Sequence, residues 1–265
     1  MSENILYTLI TGASEGLGKA FALECARRGQ HLILVALPRS GLNNLAVFIR
    51  RNYDVNVIVY ELDLSLEANC YRLHHDVINS GILVKILINN AGIGNTQHFV
   101  ETSFESYKRQ VDLNITSVVL LTHLFVPCMR ERPSYILNIS SLCTFFYLPQ
   151  KQVYGATKSF IYFFSRSLRK ELRPFKISVS VLCPGGMNTN LQQFMCNRAL
   201  SPIARFSMLD PQRVAFVAIR DLLKGKEKII PGRLNRLFLL LDKVILPSIK
   251  DMLISRQLNR MVKDT

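Results

Sequence analysis

Tyr154 and Lys158 stand four residues apart in Tyr154-Gly155-Ala156-Thr157-Lys158. On a helix that spacing puts a phenol and an ammonium on one face, where both can address one ligand. A phenol titrates near pH ~10, too high to exchange protons readily with an alcohol or carbonyl at neutral pH. A neighbouring ammonium favours the phenolate, and lowering it by about 3 pH units takes about 4 kcal/mol of differential stabilisation. Lys158 is the group placed to supply much of that.

A second constellation handles anions. Thr11-Gly12-Ala13-Ser14-Glu15-Gly16-Leu17-Gly18 follows an apolar run and opens a helical stretch. Glycines at Gly12, Gly16 and Gly18 permit a tight turn, close approach of backbone N–H groups to a pyrophosphate, and tight helix-on-strand packing. The nucleotide triphosphatase version of such a loop is excluded: the residue five before Gly18 is Ala13, and Lys19 is followed by Ala20 rather than Ser or Thr. A dinucleotide is the ligand this context fits. Its adenosine ribose should meet the tip of the second strand, Ala36-Leu37-Pro38-Arg39, which carries no acid to accept from a 2′-hydroxyl. Arg39 can pair with a 2′-phosphate, which favours NADP although Glu15 opposes it; NAD is the alternative.

Strand-like runs at Leu6–Ile10, His31–Ala36, Val55–Glu61, Lys85–Ile88, Ser134–Ile139, Ile177–Leu182 and Lys228–Ile230 must position these groups. They alternate with helical stretches at Gly16–Arg28, Leu42–Arg51, Leu66–Ile78, Phe104–Arg130, Val153–Arg173 and Pro211–Leu223. Regular alternation predicts an α/β fold, a doubly wound, Rossmann-type parallel sheet of about seven strands with helices on both faces. The strands read as continuous apolar runs, as strands covered on both sides do.

The 265 residues suffice for one such domain; 49% are apolar. We expect one domain over 1–232 and a basic helical tail over 233–265 packed on it. The six cysteines show neither a C-x-x-C pair nor metal-ligand spacing, which predicts reduced thiols in a cytoplasmic protein. Neither a signal peptide nor an anchor is expected at the front, because Ile5 to Ile10 leads straight into Gly12. The tail's apolar run Leu237 to Leu241 is far short of the ~20 residues that span a bilayer. A net charge of +14 raises nucleic acid as a partner, but the basic residues form no recognition motif, and none is expected.

The ordered set of Gly-rich turn, Asn89-Asn90-Ala91-Gly92, Asn114, Ser140-Ser141, Tyr154 with Lys158, and Pro184-Gly185 with Thr189 resembles the short, single-domain branch of the short-chain dehydrogenase/reductase superfamily. The resemblance covers roughly residues 5 to 190 and implies a tetrad of Asn114, Ser141, Tyr154 and Lys158. Tyr154 would exchange the proton, assisted by a cationic nicotinamide when the cofactor is oxidised. Lys158 would also hold the nicotinamide ribose. Ser141, thirteen residues before Tyr154, would bond the reacting oxygen, with Ser140 as the other candidate. Asn114 would hold a water that relays protons past Lys158. The resemblance also places Ser14 and Leu17 in the phosphate turn. Asp63 and Leu64 would flank the adenine, Asn90, Ala91 and Gly92 its ribose, and Pro184, Gly185 and Thr189 the nicotinamide. His98 lies near the cleft in sequence but is not read as catalytic.

These residues predict an NAD(P)-dependent oxidoreductase interconverting a carbonyl and a secondary alcohol. Apolar positions within Asn190 to Met208 and the run Phe145-Phe146-Tyr147 point to an apolar ketone, acyl or steroid-like substrate. The alternative is a catalytically idle dinucleotide-binding sensor or scaffold, which has no chemical need for Ser141 with Tyr154. Family resemblance implies a homodimer or homotetramer packed through the Phe104–Arg130 and Val153–Arg173 helices. Between Lys224 and Thr265 lie ten basic and four acidic residues. Leu234, Leu237, Leu241, Val244 and Ile245 form a helical stripe there, fitting a lid, a subunit contact or peripheral attachment to anionic lipid.

Overall fold

Consecutive strand residues bury into opposite faces of one sheet. Leu9, Ile33 and Val35 join one apolar cluster, whereas Ile10, Leu32 and Leu34 join the other. A strand can do this only when helices cover both sides, which is why its sequence shows no polar alternation. The computed structural model describes residues 5–94, 96–145, 150–187 and 208–242. In chain order these form β1 (Leu6–Thr11), α1 (Gly16–Arg27), β2 (His31–Ala36), α2 (Leu42–Asn52), β3 (Val57–Glu61), α3 (Glu67–Asn79) and β4 (Leu83–Asn89). There follow α4 (Phe104–Val111), α5 (Ser117–Met129), β5 (Ser134–Ile139), α6 (Gln152–Leu172), β6 (Ile177–Leu182), α7 (Pro211–Leu223), β7 (Lys228–Ile229) and α8 (Arg233–Asp242).

The seven strands lie in the order β3-β2-β1-β4-β5-β6-β7, every pair parallel. Residues of α1, α2 and α7 fill one face. Residues of α3, α5 and the end of α6 fill the other. The chain leaves β1 towards β2 on one side and β4 towards β5 on the other. The carboxyl ends of β1 and β4 therefore border the crevice that a doubly wound sheet opens at its switch point.

One expected element is corrected. The stretch read as a single helix over Phe104–Arg130 is α4 and α5 joined by a π-helical turn, Asp112–Thr116, in which the Ser117 amide bonds Asp112 O. Asn114, at the centre of that turn, is 1% exposed. Its amide faces inward onto the backbone of Ile93, a partner that no helical periodicity could have announced. Phe104–Met129 is also the one helical span among the described residues apolar and long enough to cross a bilayer, with mean hydropathy 1.5. Here it lies on the sheet, with Leu121, Phe125 and Met129 in the core.

Candidate active site

The phosphate turn is locked by β4. Thr11 ends β1, and its Oγ1 accepts from Asn90 N at 3.0 Å and Ala91 N at 2.9 Å. Asn90 Nδ2 answers by donating to Thr11 O at 2.9 Å and Gly12 O at 3.1 Å. Gly12 has φ +64, and a side chain on Gly18 would put Cβ 1.9 Å from Gly12 O. Only glycine allows so close an approach of the first turn of α1 to the strand end. No side chain caps α1, and no acid occupies its first turn. Its leading N–H groups therefore face the turn as an anion site, a cradle that fits a dinucleotide pyrophosphate. Ser14 is half-buried in the turn, whereas the Leu17 side chain is core.

Asn90 and Leu64, expected near the adenosine, direct their side chains elsewhere. The Asn90 side chain serves the turn, donating to Thr11 O and Gly12 O. Leu64 is 4% exposed and packs in the core, its carbonyl accepting from the Cys70 thiol. Asp63 is half-buried and accepts from Ser65 N at 3.0 Å, Ser65 Oγ at 2.7 Å and Arg109 Nη2 at 3.2 Å. Burial works against its ionisation, but the Ser65 hydrogen bonds and the Arg109 guanidinium outweigh it and hold the carboxyl below the usual range. At the tip of β2, Arg39 is exposed with φ +59. The neighbouring Ser40 hydroxyl is buried without a hydrogen-bond partner.

The strand-end serines diverge. Ser140 Oγ donates to Lys158 O at 2.7 Å and is committed to the α6 backbone. Ser141 Oγ accepts from Cys143 N at 3.2 Å and hydrogen-bonds the Tyr154 phenol. Of the two, it is Ser141 that reaches the Tyr154 phenol. Lys158 is 6% exposed, and its Nζ donates to Ile139 O at 3.0 Å and lies 5.7 Å from the Tyr154 ring centroid. Asn114 Oδ1 accepts from Ile93 N at 2.9 Å, while its Nδ2 donates to Ile93 O at 2.8 Å and Thr157 Oγ1 at 3.1 Å. A Cβ built on Gly92 would stand 3.1 Å from Asn114 Oδ1 and 3.2 Å from Lys158 Nζ, so all three meet on one wall of the crevice. The four tetrad residues are thus brought together from the π turn, the end of β5 and α6.

The electrostatics depart from the expected pattern. Burial pushes the Tyr154 phenol up to about 12, Cys143 adds to that, and the Ser141 hydrogen bond only partly offsets it. Burial likewise pushes the Lys158 ammonium down to about 8, with Cys143 opposing. The ammonium therefore does not draw the phenol towards the phenolate; desolvation of both groups dominates and favours their neutral forms. Tyr154 is held protonated, the form that donates.

A sequence model of the short chain dehydrogenase family matches residues 7–198. The chain belongs to that family. It is 33% identical over 196 residues to 17-beta-hydroxysteroid dehydrogenase type 3 of Mus musculus, covering 72% of this chain and 63% of that protein. It is 31% identical over 190 residues to the very-long-chain 3-oxoacyl-CoA reductase of Mus musculus, covering 70% of this chain and 60% of the relative. The chain thus matches less than two thirds of each relative's length. A short-chain dehydrogenase from Sphingobium yanoikuyae solved in complex with NADPH superimposes with a TM-score of 0.78 at 27% identity, over 97% of this chain and 95% of the other.

Thr11 and Thr157 were missed by the sequence reading. A hydroxyl as the last residue of β1 was a usable signal for the first, whereas Thr157 is marked only by its place between Tyr154 and Lys158. Thr189 lies outside the described residues, as do the Asn190 to Ser207 part of the expected substrate segment, Phe146, Tyr147 and the tail from Lys243 onward. Pro184 is buried after β6 and Gly185 half-buried beside it. His98 is exposed and meets Gln150 Nε2 at 3.1 Å through Nε2, away from the tetrad's hydrogen bonds.

Proposed function

We propose that this chain is an NADPH-preferring reductase of apolar ketones, with Tyr154 as the proton donor. The observation that carries the reading is the Ser141–Tyr154 hydrogen bond with the buried Lys158 Nζ 5.7 Å from the Tyr154 ring centroid. A bound nicotinamide dinucleotide supplies the hydride. The protein supplies the proton and the positions. Ser141 and Tyr154 both reach the substrate oxygen; the phenol protonates it as the alcohol forms, and Lys158 steadies the tyrosinate left behind. A phenol held protonated suits reduction better than the reverse direction, which needs it ionised beforehand. Asn114 holds the Ile93 backbone against the Lys158 side of the cleft, where a proton relay from solvent would arrive.

Arg39 beside the unpartnered Ser40 hydroxyl, with no acid at the tip of β2, supports selection of a 2′-phosphate. The relatives named for 17-beta-hydroxysteroids and very-long-chain 3-oxoacyl-CoA support a bulky apolar ketone as substrate. Exposed Phe104, Phe160 and Phe163 on α4 and α6 support assembly with further copies of the chain. The test is a panel of steroid ketones, 3-oxoacyl thioesters, aryl ketones and sugars, each with NADPH and NADH. Oxidation of NADPH by an apolar ketone is expected. Activity confined to polar sugars would overturn the substrate reading, and dinucleotide binding without any turnover would favour a sensor instead.

A further inference from the structure

The loop after β6 is fastened at three successive residues. Pro184 O accepts from Leu142 N at 2.9 Å, next to Ser141, and Gly186 O accepts from Leu209 N at 3.0 Å. The middle residue, Gly185, makes no backbone hydrogen bond of this kind to the described residues; it rests on a side chain from α8. A Cβ on Gly185 would lie 2.6 Å from Asn235 Nδ2 and 3.1 Å from both Cγ and Oδ1, so the carboxamide lies directly against the glycine backbone. Gly185 is absent from the positive-φ glycines, so it is this contact and not its backbone conformation that requires glycine.

Asn235 is itself fixed. It is 2% exposed, and Nδ2 donates to Pro231 O at 3.1 Å. Gly232, at φ +87, brings its own Cβ position to 3.1 Å from the same nitrogen. Arg236 Nε donates to Ile230 O at 2.8 Å, which ties the start of α8 to the end of the sheet. A buried, bonded carboxamide wedged between two glycines is a rigid stop. It stands behind the loop whose front, by the cofactor reading above, faces the nicotinamide. Residue 235 lies beyond the 7–198 segment that carries the family match.

We propose that Asn235 is a positioning residue for the nicotinamide half of the cofactor site. Through Gly185 it sets the depth of the loop that Pro184 couples to Ser141. The inference rests on the dinucleotide reading, and the experiment separates the two. Calorimetric titrations of the full chain with NADPH and with adenosine 2′,5′-bisphosphate compare the whole cofactor with its adenosine half. For Asn235→Ala, NADPH affinity is expected to fall about tenfold while the bisphosphate affinity stays within twofold, which also shows the variant folded. Gly185→Ala should weaken NADPH similarly in the wild-type background and much less in the Asn235→Ala background, since the steric partner has gone. If Asn235→Ala does not fold, Asn235→Ser carries the same comparison. Equal losses for both ligands, no loss for either, or independent effects of the two substitutions would overturn the role of Asn235. Wild-type protein that binds neither these two ligands nor NADH would overturn the dinucleotide reading and this inference with it.

Discussion

Lys158 provides the sharpest test of the proposed chemistry. Burial moves its ammonium from an ordinary 10.5 to about 8, which corresponds to about 3 kcal/mol against the charged form. If that charge steadies the tyrosinate left after proton donation, reductive turnover depends on the charged fraction, about 90% at pH 7 and about 10% at pH 9. Between those values kcat should fall nearly tenfold. Tyr154, pushed up to about 12, stays protonated throughout and contributes no limb of its own. The assay is the pH profile of kcat for the best ketone of the panel under saturating NADPH. Lys158→Arg, whose guanidinium does not titrate, should lower the plateau and abolish the limb near pH 8. A wild-type kcat that is flat to pH 10, or a limb that survives in Lys158→Arg, would refute the reasoning.

The same displacement has a stability sign. The folded pKa lies below the unfolded one, so the unfolded chain binds more protons between pH 8 and 10.5, and stability rises with pH across that window. Below it, the buried charge costs up to about 3 kcal/mol. Lys158→Met removes that cost but leaves Ile139 O, now bonded at 3.0 Å, without its donor, a loss of about 1 kcal/mol. The net expectation is an inactive variant about 2 kcal/mol more stable at pH 7, read as a higher urea midpoint. A lower midpoint would show that burial penalises Lys158 less than argued.

The sheet and its helices were legible because their causes are local. Unbroken apolar runs marked strands covered on both faces, and the glycine spacing after β1 marked the one place where a helix must start against a strand end. The site was legible as a set of residues and less so as an arrangement. The family resemblance favoured Ser141 over Ser140, whereas the structure shows how they differ: Ser140 turns to the Lys158 carbonyl, a contact across 18 residues of chain. The π turn was invisible for the same reason: Asn114 leaves regular helical geometry beside a bond to Ile93, 21 residues away. Protonation was the least legible. A phenol four residues from an ammonium reads as an activated pair, whereas burial, which is a property of the whole fold, pushes both groups towards their neutral forms.

Three further outcomes follow from named contacts. Tyr154→Phe keeps the ring and loses the donor, so NADPH titration should be nearly unchanged while ketone reduction falls by about 10²–10⁴; unchanged turnover would remove Tyr154 from the mechanism. Gly18→Ala sets helix propensity, worth about 0.5–1 kcal/mol in favour of Ala, against a Cβ 1.9 Å from Gly12 O. The clash should win, displacing the turn and weakening NADPH binding at least tenfold, and a more stable variant with intact binding would show that the turn yields. Behind the site, Asn138, fully buried, accepts from Asn89 Nδ2 at 2.8 Å and donates to Ser165 Oγ at 2.9 Å, while Asn89 also donates to Thr122 Oγ1 at 3.1 Å. This chain runs from α5 through β4 and β5 to α6, so it ties together two helices packed on the same face of the sheet. Asn138→Leu removes two bonds, but Asn89 keeps Thr122 and Ser165 keeps Ile161 O at 2.6 Å, so the loss should stay near 2 kcal/mol rather than the full cost of two orphaned groups. If the chain holds α5 and α6 in register, amide exchange should quicken in both helices together; faster exchange confined to β5 would reduce Asn138 to a filler of the core.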